Sequence, residues 1–325
     1  MSLIEKSWYR PFGISWLLFP FSLLFWLLSS LRKYAYQSGL LDQPAMMTPV
    51  IVIGNISVGG NGKTPMVIWL TDFLKTQGKS VVVISRGYGG AASSYPLIVE
   101  QDTSPSQAGD EPVLIYKRCG VPVIVGPSRV QSIQLANEKF APDVIISDDG
   151  MQHYQMKRAV EICIVDAQRR FGNGFLLPMG PLRETQSRLD SVDFVLENGG
   201  QSDFSYRLKS AGFYRVSDFT PIQDVPKQGV AVSAIGNPAR FETSLCKQGV
   251  ETLNKVNFRD HHKYGLEDFA AYSTQPIFMT EKDAVKCHTF AQDNWYFLKV
   301  DAEPNEAAKQ KIESILITKG ILDGL

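Results

Sequence analysis

Residues 50–64 read VIVIGNISVGGNGKT, from Val50 to Thr64, and this stretch decides the fold. The apolar run at residues 50–53 predicts a buried strand. A loop with Gly54, Gly59, Gly60 and Gly62 follows. Lys63 and Thr64 then open an apolar-periodic segment that predicts a helix over residues 65–75. Strand, glycine-rich loop and helix in this order form the context of a phosphate-binding P-loop. The glycines let backbone N–H groups converge on phosphate oxygens, and the helix N-terminus adds partial positive charge. Asn55, Gly59, Gly60, Asn61, Gly62, Lys63 and Thr64 are the expected nucleotide contacts, with Lys63 on the β/γ-phosphates and Thr64 on Mg²⁺. Ser57 stands where the general pattern has its first glycine.

Outward from this loop, short apolar runs recur at residues 81–84, 121–125, 144–147, 162–165 and 192–196, with helical patterns such as 127–139 between them. That rhythm predicts a doubly wound α/β sheet. Around residues 202–217 the pattern turns to alternation, with Ala211-Gly212 in the middle, and predicts a hairpin. A second α/β rhythm follows. Strands are expected at 230–233, 250–256, 276–279 and 295–300, and helices at 238–247, 266–272 and 306–318. The expected division is an apolar N-terminal segment (1–44), a P-loop core (45–203), a hairpin linker (204–224) and a smaller α/β unit (225–325).

The chain has 325 residues, 44% hydrophobic and 20% charged, enough for a substantial core. Its 33 basic and 33 acidic residues balance, which argues against non-specific nucleic-acid binding. The four cysteines contain no C-x-x-C pair, and a reduced compartment without a metal cluster is the simpler reading. Residues 12–31, FGISWLLFPFSLLFWLLSSL, carry no charge. Lys6 and Arg10 flank one end, and Arg32 and Lys33 the other. The segment is about long enough to span a bilayer. A spanning helix and a buried core helix both fit. Basic residues at both ends favour an anchor lying at one anionic surface. Ser15, Ser22 and Ser29 form a narrow polar stripe along it.

Several other motifs can carry chemistry. Asp148 and Asp149 end an apolar run, where P-loop enzymes place a carboxylate for Mg²⁺ or its water. Gln152 and His153 follow on the same turn. Arg86, in Ser85-Arg86-Gly87-Tyr88-Gly89-Gly90, lies beyond a strand end and can meet an anion. Asp110 and Glu111 open a helix, as caps or as a general base at the ligand edge. Met179-Gly180-Pro181-Leu182-Arg183-Glu184 is a rigid turn with one cation and one acid, and Arg129 opens a helix near a possible phosphate. His261 and His262 point apart on any regular element, so a single His paired with a carboxylate is the better reading. Thr280-Glu281-Lys282-Asp283 resembles a guanine-specificity box only superficially.

Taken as an ordered set, these motifs resemble the tetraacyldisaccharide 4'-kinase family, the lipid A 4'-kinases of Gram-negative bacteria. GNISVGGNGKTP, SRGYGG, AGDEP, DDGMQH, GPLRE, DHHKY, TEKDAVK and the apolar N-terminus carry the resemblance over nearly the whole chain. Met151 and Tyr154 depart from the Phe and basic residue expected there. The resemblance implies transfer of the γ-phosphate of ATP to the 4'-hydroxyl of a tetraacylated glucosamine disaccharide 1-phosphate. It implies two α/β units joined by a two-stranded linker, with the site between them. Asp110 would act as base, coupled to His261. Thr64, Asp149 and Glu184 would serve Mg²⁺, with Asp148 close by. The acylated acceptor is membrane-embedded, so the enzyme is expected at the cytoplasmic leaflet of the inner membrane, with no obligatory protein partner. The competing readings are a membrane-associated P-loop switch and a nucleotide-binding scaffold, neither of which needs Asp110 and His261 to cooperate.

Overall fold

The computed structural model describes residues 3–10 and 13–324. Phe12, the first residue of the apolar segment, lies outside the described residues. The strands are β1 (Val50–Gly54), β2 (Val81–Ser85), β3 (Leu97–Val99), β4 (Val123–Val125), β5 (Val144–Asp148), β6 (Val160–Asp166), β7 (Phe194–Asn198), β8 (Ser205–Arg215), β9 (Pro221–Ile222), β10 (Gln228–Ser233), β11 (Glu251–Asn257), β12 (Ile277–Thr280) and β13 (Trp295–Pro304). The helices are α1 (Leu3–Ser7), α2 (Phe19–Gln37), α3 (Lys63–Thr76), α4 (Pro105–Ala108), α5 (Asp110–Cys119), α6 (Arg129–Phe140), α7 (Pro238–Lys247), α8 (Glu281–Cys287) and α9 (Glu306–Thr318). Among the described residues the strands form one sheet in the order β11-β10-β12-β13-β8-β7-β6-β1-β5-β2-β4-β3, with β9 paired to β8.

The first half of this sheet, β7-β6-β1-β5-β2-β4, is parallel. Parallel strands are covered on both faces, which is why β1, β2, β4, β5 and β6 are buried along their whole length. Ile51 and Ile53 pack with α3 and α5 on one face. Val50 and Val52 pack with α6 on the other. The second half, β11-β10-β12-β13, is also parallel. Two long antiparallel strands, β8 and β13, join the halves.

The hairpin expected over residues 202–217 is instead one strand, β8. Ala211-Gly212 is not its turn. Phe213 pairs with Leu298 and Ser210 with Val300, so Ala211 and Gly212 lie opposite the single residue Lys299 as a bulge. Gly212 supplies the positive φ of 98° that the bulge requires. The chain reverses later, at residues 216–220, and β9 pairs back on Phe213 and Tyr214. The expected helix at 266–272 is a 3-10 helix. The edge strand β3 was not foreseen. The closing helix α9 returns to the first half, where Ile312 and Leu316 share a cluster with Ile51 and Leu70.

A 3-10 turn, Ile14–Leu18, leads into α2. This is not a buried core helix, since Leu17, Phe21, Leu24, Leu28 and Leu31 are all exposed. The serine stripe explains the orientation. Ser15 and Ser22 are buried against the body. Ser22 Oγ donates to the Leu176 carbonyl at 3.0 Å and accepts from the Met179 N–H at 2.9 Å. Ser29 is left to a local bond with the Trp26 carbonyl.

Candidate active site

β1 ends at Gly54 and the chain crosses to α3 through the loop read as a P-loop. Gly62 caps α3 with φ 87°, a left-handed conformation that glycine adopts without strain. The loop is braced from beneath. Asn198 Nδ2 donates to the Asn61 carbonyl at 2.9 Å, and the Tyr206 hydroxyl donates to the Gly62 carbonyl at 2.8 Å. Asn61 Nδ2 donates to Ser57 Oγ at 2.9 Å, so the residue that departs from the general pattern is a strut of the loop. Asn55 is fully buried, and neither atom of its side-chain amide has a hydrogen-bond partner among the described residues.

β5 lies beside β1, and its end brings the paired acids to the loop. Lys63 Nζ lies 3.6 Å from Asp149 Oδ1, and the Arg183 guanidinium lies 2.9 Å from Asp149 Oδ2. Burial, the largest influence on Asp149, would raise its carboxyl, but Lys63 and Arg183 outweigh it and bring it down to about 2. Asp148 is 1% exposed, and its Oδ1 has no hydrogen-bond partner among the described residues. Burial, then repulsion from Glu111 and Asp149, pushes it up to about 7. The two neighbours are thus held in different states, as like charges this close require.

Glu184 stands nearby but is fully engaged. Its Oε2 accepts from Gln152 at 2.8 Å, and its Oε1 accepts from the Tyr154 hydroxyl and lies 3.3 Å from Arg188 Nε. Gln152 also accepts from Arg183 at 3.3 Å and so ties Glu184 to the Asp149 ion pair. His153 is held neutral. Burial, with Arg129, Arg86 and Arg32 around it, lowers its imidazole to about 4. Arg129 does not reach the cleft. It is buried and donates to the Gly126 and Asp148 carbonyls, which fixes the Asp-Asp turn.

Asp110, at the start of α5, is 4% exposed. Both its oxygens meet His261 Nδ1, at 3.0 and 3.1 Å. The His261 ring packs on Tyr88, with centroids 4.8 Å apart. Lys282 and Lys286 of α8 approach Asp110 from the same side, at 3.9 and 3.8 Å. Burial again would raise the carboxyl most, and Lys282, His261 and Lys286 outweigh it and hold it below the usual carboxylate range.

Lys63, Thr64, Arg86, Asp148, Asp149, Glu184, His261 and Lys282 all face one cleft of about 1020 Å³ between the halves of the sheet. Phe25, Trp26, Arg32 and Lys33 of α2 form part of the same wall. Asp110 does not line it. It sits behind His261, on a smaller cavity of about 410 Å³. The glycine-rich loop, the paired acids, His261 and the exposed apolar helix therefore share one space.

The profile described as Tetraacyldisaccharide-1-P 4'-kinase matches residues 14–317. The chain belongs to the tetraacyldisaccharide 4'-kinase family. It is 53% identical to the tetraacyldisaccharide 4'-kinase of Pseudoalteromonas translucida (strain TAC 125), with all of both chains covered. It is 49% identical to that of Psychromonas ingrahamii, covering 94% of this chain and 96% of the other, and 48% identical to that of Haemophilus influenzae, covering 93% of each. The solved LpxK structure from Aquifex aeolicus, described as an "apo" form in complex with ATP, superposes with a TM-score of 0.77 at 29% identity. That likeness covers 93% of this chain and 99% of the other.

The contacts of the α8 lysines with Asp110 were not expected from the sequence. Lys282 and Lys286 both lie in the TEKDAVK motif of the resemblance, which gives neither lysine a role of its own. Their i, i+4 spacing on a short helix was the available signal. Arg240 was also missed. It joins the halves through an ion pair with buried Asp166 at 2.8 Å, close to where Arg169 donates to the Gly236 carbonyl.

Proposed function

We propose that the chain transfers the γ-phosphate of ATP to the 4'-hydroxyl of a tetraacylated glucosamine disaccharide 1-phosphate, giving the 4'-phosphorylated lipid A precursor. The observation that carries this reading is that His261, which faces the same cleft as Lys63, is held by buried Asp110 behind it. A hydrolytic switch needs the P-loop but has no use for a pair that takes a proton from a sugar hydroxyl.

In this reading Asn55, Gly59, Gly60, Asn61, Gly62, Lys63, Thr64 and Arg86 hold the nucleotide. The unpartnered amide of Asn55 supports this, because a buried amide without partners is costly unless a ligand or water meets it. The acceptor oxygen forms a bond to the γ-phosphorus as the bond to the β-phosphate oxygen breaks. The hydroxyl proton passes to the Asp110–His261 pair, and ADP leaves. Asp110 is the base and His261 couples it to the cleft. A carboxylate alone is a weak base for a sugar hydroxyl, and an imidazole partner on the cleft wall offsets that weakness. Lys63 and Arg86 offset charge on the transferring group, since phosphoryl transfer depends on positioning and neutralisation.

Thr64, Asp148 and Asp149 fit Mg²⁺, which takes one or two carboxylates together with substrate phosphates. The unpartnered Asp148 Oδ1 supports the fit. Glu184, the fourth expected metal residue, lines the same cleft and, with both oxygens engaged, would serve the ion by holding Gln152 and, through it, Arg183. Bound there, Mg²⁺ would neutralise charge on the phosphates. The division into a core (45–203), a linker (204–224) and a C-terminal unit (225–325) belongs to the same proposal. So does attachment of the first 44 residues to the cytoplasmic face of the inner membrane, supported by the exposed apolar face of α2 beside the cleft. The deciding experiment supplies radiolabelled ATP, Mg²⁺ and the disaccharide 1-phosphate in detergent micelles. Label should appear in the lipid in proportion to acceptor. ATP hydrolysis that ignores the acceptor would replace this reading with the switch.

A further inference from the structure

The proposed phosphoryl transfer uses Asp110 and His261, yet the groups around Asp110 are more extensive than that pair. His261 meets it from the loop after β11. α8 meets it with Lys282 Nζ and Lys286 Nζ, at 3.9 and 3.8 Å from Oδ2. Glu111, the next residue on α5, is a like charge, and Lys282 Nζ lies 3.0 Å from its Oε1. Behind the lysines stand Asp260, 3.2 Å from Lys282, and Asp283, 2.8 Å from Lys286. The small cavity behind Asp110 adds Lys117, Lys263, His288 and Asp102 to its wall.

We propose that Lys282 and Lys286 are positioning residues for phosphoryl transfer, holding Asp110 ionised and docked against His261, so that the acid–base pair is complete only while α8 lies against α5. This rests on the function proposed above.

Three observations carry it. First, Asp110 is buried, and a buried carboxylate keeps its charge only when cations or donors offset the desolvation. His261 alone does not supply a permanent charge, because an imidazole is charged only when protonated. The lysines supply it. Second, Lys282 is itself secured as a cation. Burial would lower its ammonium, and Glu111, Asp110 and Asp260 outweigh burial and raise it. Third, the contact is built between the halves of the chain. Arg118 of α5 pairs with Glu281 of α8 at 2.6 Å, one residue before Lys282, and with Asp301 of β13. The same helix pair therefore carries both the structural ion pairs and the groups that set the state of Asp110.

The test uses the full chain with ATP, Mg²⁺ and the disaccharide acceptor in neutral detergent micelles, and reads kcat against pH. Lys282→Met should move the acidic limb of the profile up by about one pH unit or more, the size of effect an adjacent opposite charge has on a carboxylate. Turnover on the alkaline side should fall far less. Lys282→Arg should restore the wild-type limb. In an Asp110→Asn background, Lys282→Met should leave the profile's shape unchanged. A lysine that only holds the fold would lower kcat equally at every pH, and that result would overturn the proposal. If Lys282→Met does not fold, Lys286→Met carries the same expectation, and an unmoved limb there overturns it equally. Wild-type protein that transfers no phosphate to the acceptor would sink the reading of function. Transfer with an unmoved limb would sink only the role of the lysines.

Discussion

His261 Nδ1 lies 3.0 Å from Asp110 Oδ1, although 151 residues separate them and the two belong to opposite halves of the sheet. Asp110 is fixed by the start of α5, and His261 sits in a loop at φ 61°. A non-glycine residue in that region is uncommon and is kept where the surroundings over-determine it. Here the surroundings are the Tyr88 ring and the Asp110 carboxylate.

That relationship predicts coupled losses. Asp110→Asn and His261→Ala should each lower kcat by about a hundredfold or more, the usual contribution of a general base. Groups that share one proton-transfer task are non-additive. The double variant should therefore be scarcely slower than the worse single variant. Multiplicative losses at saturating substrates would assign the two residues independent roles.

Lys63→Ala removes the cation that faces both the nucleotide cradle and Asp149. Loss of one preorganised charge-stabilising group costs roughly 2.7–4 kcal/mol of barrier, about a hundred- to a thousandfold in turnover. Near wild-type turnover with ATP and Mg²⁺ would end the P-loop assignment.

The strut beneath the loop gives a cleaner structural test. A Cβ on Gly62 would stand 2.3 Å from Asn198 Nδ2 and 2.6 Å from the Tyr206 hydroxyl, at φ +87°. Gly78 has a similar φ of +75° but open space around it. Gly78→Ala should cost only left-handed strain, about 1–2 kcal/mol. Gly62→Ala should cost more in thermal stability and also weaken ATP binding. Equal melting temperatures for the two variants would mean that Asn198 and Tyr206 do not brace the loop.

Much of this was legible in the sequence. Strands buried on both faces are continuous apolar runs, so β1, β2 and β5 announce themselves, and α7 and α9 match their expected limits. Ala211-Gly212 misled because a bulge and a turn make the same demand, one residue at positive φ. Only the pairing of Ser210 with Val300 and Phe213 with Leu298 distinguishes them, and that pairing is 85–90 residues away in the chain. The strand, glycine-rich loop and helix of residues 50–76 are local, and their order was legible. The Asp110–His261 contact and the α8 lysines are not local, and only the resemblance joined Asp110 to His261. That Arg129 is buried on the Gly126 and Asp148 carbonyls was not legible, because a helix-opening arginine looks alike whether it faces solvent or carbonyls.

The exposed face of α2 predicts where the protein partitions. Deleting the residues before Arg32 removes the apolar side chains that line the outer face, among them Leu17, Phe21, Leu24 and Leu28. Each such side chain contributes roughly 1.5–3 kcal/mol when fully buried, so several together give strong partitioning. The truncated protein should move to the soluble fraction and retain its cooperative melt. A folded truncation that stays fully on vesicles of anionic lipid would place the anchor elsewhere.

Asp148 predicts how stability and metal binding follow pH. Burial first, then Glu111 and Asp149, raise its carboxyl from the ordinary 3.8 to about 7. The folded state thus keeps a proton that the unfolded chain has released. The stabilising contribution is complete below the unfolded value and is lost as pH rises through the folded value, after which it stays flat. Asp149 has the opposite sign. Its carboxyl is brought down to about 2, so its contribution is present above the ordinary value and is lost only as pH falls toward about 2. From about pH 4 to 7 Asp148 makes stability fall as pH rises, while His153, held down at about 4, makes it rise over much of the same range, so Asp148→Asn should leave a curve that rises more with pH than wild type and should raise the melting temperature of the ligand-free protein on the alkaline side. A variant curve parallel to wild type would remove Asp148 from the balance. Metal binding reads the same group in another way, because a hard cation needs the ionised carboxylate. Adding the preformed Mg²⁺–ATP complex near pH 6.5 should release a proton from Asp148, on the order of one per site, seen by calorimetry in buffers of different ionisation enthalpy. That release should vanish in Asp148→Asn, and its persistence there would transfer the metal contact to Asp149 and Thr64 alone.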